Sequence, residues 1–60
     1  MDPDENLTAQ LRLAVRIQVA SNNDRPIDPD DADRLAELVL SLNDWIRGGG
    51  FLPAKWSRGR

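Results

Sequence analysis

The sequence contains no cysteine, no histidine and no tyrosine, and its aromatic residues are Trp45, Phe51 and Trp56 alone. Without cysteine the chain cannot be stapled by disulfides. Without cysteine or histidine it cannot build the usual zinc sites, and it lacks the common nucleophile–base pairs of covalent catalysis. A catalytic centre would have to be assembled from carboxylates, Ser, Lys or Arg, so a protein without enzymatic activity, cofactor or metal is expected. No apolar run approaches the ~20 residues of a membrane span. The first residues are acidic rather than basic and then apolar, unlike a secretory leader. A soluble cytoplasmic protein is therefore expected.

Sixty residues make a single domain. A chain of this size buries roughly 60% of its unfolded surface, which leaves a marginal core. Small domains offset this with disulfides, metals or partner subunits. Here the first two are excluded, so efficient helix packing and self-association remain, and a homodimer or higher oligomer is expected.

The net charge of −2 is unevenly spread. Asp2, Asp4 and Glu5 open the chain, and further acids run from Asp24 to Glu37 against Arg25 and Arg34. From Arg47 onward the charges are all basic: Lys55, Arg58 and Arg60. A basic tail follows an acidic body.

Asp2-Pro3-Asp4-Glu5 reads as a helix start. Asp2 suits the N-cap, Pro3 the first position, where an N–H is not needed, and Glu5 the third position of a capping box. Asp28-Pro29-Asp30-Asp31 repeats the signal. These acids are read as helix punctuation. As a calcium loop they lack the central glycine and terminal glutamate of an EF-hand. The turn formers Ser21-Asn22-Asn23-Asp24 break the first helix, and Gly48-Gly49-Gly50 ends the second, one of them in the left-handed conformation. The expected fold is all-α: a two-helix antiparallel hairpin with helices over 3–21 and 29–47, a loop over 22–28, and a folded-back aromatic and basic tail over 48–60.

At ~100° per residue, the second helix places Ala32, Leu35, Leu38, Val39, Leu42, Trp45 and Ile46 on one face and Asp33, Arg34, Glu37, Ser41 and Asp44 on the other. Leu40 lies on the polar side and marks a second contact surface. The first helix carries two apolar stripes: Leu7, Leu11, Ala14 and Val15, and Ala9, Leu13, Ile17 and Ala20, with Val19 beyond the first. A helix apolar over most of its circumference needs more than one partner. The second helix covers one stripe. The other is left for another chain or the tail.

Phe51, Leu52 and Trp56 are too concentrated an apolar group for a disordered tail. They either close the open end of the hairpin or anchor a partner, as aromatics beside basic residues do at interfaces. The expected protein-binding residues are Phe51, Leu52, Trp56, Leu13, Ile17 and Leu40. An alternative reading uses Arg12 and Arg16, an i, i+4 pair, with Arg47, Lys55, Arg58 and Arg60 to hold a nucleotide or nucleic acid, Trp56 stacking on a base. The acidic body and few basic residues weigh against it. A structural subunit of a larger particle is a third reading.

The stretch Leu42-Asn43-Asp44-Trp45-Ile46-Arg47-Gly48-Gly49-Gly50-Phe51-Leu52-Pro53, continued to Trp56, resembles a tail found in small accessory proteins of actinobacterial, mycobacteriophage-like phages. There an amphipathic helix ends in Trp, a glycine pair, Phe-Leu-Pro and another Trp; the third glycine here is a departure. The resemblance covers about a quarter of the chain and carries over no functional residue. It implies a phage accessory protein that binds or inhibits a host protein in the host cytoplasm, an inference by association.

Overall fold

A computed structural model of the chain describes residues 2–57. It contains α1 (Pro3–Asn22), α2 (Pro29–Arg47) and a single turn of helix, α3 (Ala54–Ser57). Among the described residues there is no strand. The two long helices pack against each other.

Both start at the aspartates. The Asp2 carboxylate Oδ1 accepts from the backbone N–H of Asp4 at 3.0 Å and of Glu5 at 3.3 Å. Asp28 Oδ1 accepts from the Asp30 N–H at 2.9 Å. These bonds satisfy amides that have no partner inside the helix. Pro3 and Pro29 occupy the first turn, and acids follow each proline, where they meet the positive end of the helix dipole.

Both helices end in the same motif. At α1 the Arg25 N–H reaches back to the Ala20 carbonyl at 2.9 Å and the Asp24 N–H to Ser21 at 3.2 Å. At α2 the Gly50 N–H bonds the Trp45 carbonyl at 2.8 Å and the Gly49 N–H bonds Ile46 at 3.1 Å. This is the Schellman pattern, which needs a left-handed residue after the cap. Gly49 supplies it at φ 94° and Asp24 at φ 55°. Because Asn23 and Asp24 make the turn, Asn22 remains helical, one residue beyond the expected end.

Burial on α1 follows Pro3, Asn6, Gln10, Leu13, Ile17 and Ala20; on α2 it follows Asp31, Leu35, Leu38, Leu42 and Trp45. Steps of three and four are the spacing of a helix–helix seam. Leu7, Leu38 and Leu42 form the buried apolar core, with Pro3 and Pro53 fully enclosed. All five sit in the half of the hairpin where α1 begins and α2 finishes, Leu38 being midway along α2 opposite Asn6. Asn6 is buried among them. Its Nδ2 donates to the Leu38 carbonyl at 3.0 Å, and its Oδ1 accepts from Gln10 Nε2 at 2.6 Å. A buried amide is tolerated only when bonded in this way, and here it also fixes α1 against α2.

After Gly50 the chain returns toward the start of α1, where the Ala54 N–H donates to Asp4 Oδ1 at 2.6 Å. The glycines make the return possible. A Cβ at Gly50 would overlap the indole of Trp45, whose Nε1–H donates to the Phe51 carbonyl at 2.9 Å. The Phe51 ring meets that indole edge to face at 5.4 Å, a favoured aromatic geometry. The Trp-x-x-Gly-Gly-Gly-Phe-Leu-Pro segment thus works as a helix stop that turns the chain back. The third glycine is the one that admits the indole.

Candidate functional site

Few large hydrophobics are buried and many are not. Leu11, Val15, Val19, Ile27, Val39, Leu40, Phe51, Leu52 and Trp56 are all exposed. Their distribution decides what the molecule can offer to a partner.

On α1 the expectation that Leu13 and Ile17 form the free stripe requires correction. Both are half-buried and continue the inner row begun by Asn6 and Gln10. The open stripe is the other one: Leu11, Ala14 and Val15 are exposed, while Leu7 at its start is core. The polar pair Asn6 and Gln10 sets this choice, because it bonds α1 to Leu38 along the Leu13–Ile17 row. On α2 the apolar face is wider than the seam. Leu38 and Leu42 are buried and Leu35 half-buried, whereas Ala32 and Val39 are exposed beside them.

These surplus residues lie on one side of the hairpin. Gln10, Val39, Leu42, Asn43, Ile46 and Trp56 line a shallow hollow of about 210 Å³ between the helices. Ala9 of α1 and Arg34, Leu38 and Ser41 of α2 share a hollow that opens elsewhere along the seam. Counting ~100° per residue from the seam, Leu11 and Ala14 of α1 and Ala32, Ala36 and Val39 of α2 fall on the Trp56 side. Arg12, Arg16, Arg34, Glu37 and Asp44 fall on the other.

At the loop end, Val15, Ile17, Val19, Ala20, Pro26 and Ile27 border a larger hollow of about 340 Å³, rimmed by Arg16, Arg25, Asp28 and Asp31. Every residue from 21 to 30 is exposed. Arg16 and Asp31 close one edge through a 3.0 Å ion pair.

Of the expected tail residues, Phe51 is 63% exposed although its ring rests on Trp45. Leu52 is exposed and Trp56 lies over the seam hollow. Leu40, 64% exposed, faces away from the seam.

The arginines are not gathered into an anion cleft. Arg16 is engaged by Asp31, and Arg12 shares a shallow hollow with Asp4 and Glu5. Arg47 and Lys55 are exposed. Arg58 and Arg60 lie outside the described residues. Arg34 pairs with Glu37 at 2.8 Å on the surface, a contact worth little in water. Among the described residues no group of three acids is placed to hold a metal ion, and no helix is long and apolar enough to cross a membrane.

No family model, no curated protein and no solved structure matches the chain. The function therefore has to be read from the surface itself.

The residues that the hydrophobic pattern missed are Asn6 and Gln10. Their signal was spacing: they stand three and seven residues from Pro3, in step with Leu13, Ile17 and Ala20, although neither is apolar.

Proposed function

We propose that the chain is a non-catalytic helical binding protein that works through its uncharged apolar side. The segment after Gly50 folds back over the end of the hairpin opposite the loop and adds Trp56 to that side. The observation that carries the reading is the exposure of Leu11, Val39 and Trp56 beside exposed Ala14, Ala32 and Ala36. Contiguous apolar surface of this kind on a small soluble protein marks an interaction site. The resemblance of the Trp45–Trp56 segment to phage accessory proteins adds a setting to the proposal, with a host protein as target in the host cytoplasm.

Site-specific photo-crosslinking in cells tests it. A benzoylphenylalanine placed at Val39 is expected to yield protein adducts, and one placed at Glu37, on the charged side, is expected to yield far fewer. Equal yields at the two positions would contradict the proposal.

The nucleotide reading gains no support from Arg16, which Asp31 already engages, or from Arg12, which neighbours two acids.

A further inference from the structure

The hairpin is one layer thick. It consists of two long helices packed side by side. Stable domains are built from two packed layers around a core. The radius of gyration, 13.2 Å, exceeds the ~10 Å expected for a compact chain of this length. The surface says the same. The chain exposes 4591 Å², where a compact monomer of its mass exposes about 3,900 Å².

Charge indicates what covers the extra surface. Leu11 and Ala14 of α1 and Ala32, Ala36 and Val39 of α2 are accompanied by amides, Gln18 and Asn43. Over residues 7–22 and 30–46 no charged side chain falls on this side. A two-fold axis brings each patch onto itself. A face carrying charge would meet like charge there, whereas this one meets apolar groups and amides that can donate and accept to each other.

We propose that this face seats a second copy of the chain, the two hairpins closing as a four-helix bundle. The inference rests on the binding reading above and names the partner for its face. In the bundle Leu11, Val39 and Trp56 become core, Leu40 stays outside, and the Arg16–Asp31 pair remains on the outer rim.

Sedimentation equilibrium on the full chain, from about 1 to 200 µM, is the test. Dimer is expected at micromolar concentrations, as in a standard-size interface of moderate affinity. Val39→Glu places two charges in one symmetric interface and is expected to weaken the dimer by about a hundredfold or more, whereas Leu40→Glu leaves it unchanged. A second measurement does not depend on how Val39→Glu folds. The chain has no cysteine of its own, so a bis-maleimide reagent long enough to span the interface should join Ala36→Cys into a covalent dimer and leave Ser41→Cys, on the charged side, monomeric.

A monomer at 200 µM with native helicity would overturn the proposal, as would equal crosslinking at the two cysteine positions. A monomer whose position 39 still crosslinks a foreign protein in cells would overturn the self-association and keep the binding reading. A monomer with no adduct at that position would overturn both.

Discussion

At one end of the hairpin Pro3, Asn6, Leu7, Leu38, Leu42 and Pro53 are buried together. At the other, every residue from 21 to 30 is exposed and Val15, Val19 and Ile27 border an open hollow. Local chemistry does not account for the contrast. Each end has an Asp-Pro-Asp start, and each has a Schellman stop with its left-handed residue. The difference is a third segment. The Gly48–Gly50 turn sends the chain back so that Pro53 and Ala54 lie against the start of α1, while among the described residues nothing comparable covers the loop end. Two helices of about 20 residues each can align a seam, but they enclose a core only where something crosses it.

The contrast can be broken hardest at its core. Leu42 is 3% exposed, so Leu42→Ala is expected to cost ~2–4 kcal/mol, read by urea unfolding at one fixed protein concentration. Val19→Ala, at the loop end, is expected to cost under ~0.5 kcal/mol, as surface substitutions do. Comparable losses at the two sites would erase the distinction between the ends.

Gly50→Ala attacks the return of the chain. The new methyl must displace the Trp45 indole, and overpacking of this kind costs ~1–3 kcal/mol. The near-ultraviolet circular dichroism of the Trp45–Phe51 pair should fall with it. Gly49→Ala meets no atom within 4 Å but forces a side chain into positive φ, and ~1 kcal/mol is expected there.

Asn6→Ala removes the buried amide that ties α1 to Leu38 and leaves Gln10 short of its partner. A loss of ~1–2 kcal/mol is expected, measured in the same unfolding assay. A neutral result would mean that the seam is held by its apolar rows alone.

One modest effect has the opposite sign. Asp24 holds a left-handed conformation at φ 55°, which glycine adopts without strain. Asp24→Gly should raise stability by ~0.5–1 kcal/mol, the steric relief partly offset by a more flexible unfolded chain. It would strengthen the loop end without covering it, and the thermal midpoint reports the gain.

Much of this fold was legible from short-range signals. The aspartate caps, the prolines behind them and the glycine stop each act within a few residues, so the two helices could be placed along the chain. What depended on contact between distant residues was not legible. Two apolar stripes on α1 competed for α2, and hydrophobicity could not rank them. The ranking came from Asn6 and Gln10, polar residues that a search for apolar periodicity passes over, and it moved Leu13 and Ile17 into the seam. The short α3 was equally invisible, because Ala54–Ser57 packs through a bond to Asp4 fifty residues earlier. Trp56 was singled out from composition alone. Its position over the hollow beside Val39 became visible only once the chain had turned back.

Hydrogen exchange followed at two protein concentrations brings the ends and the open face into a single experiment. At about 1 µM the amides around Asn6–Gln10 and Leu38–Leu42 should exchange slowest, and those around Val19–Ala20 and Ala32 much faster. At about 200 µM protection should rise along Leu11–Val15 and Ala32–Val39 as the uncharged face is covered by a second copy. Protection that is uniform along both helices and unchanged by concentration would contradict both the one-ended core and the pairing of hairpins.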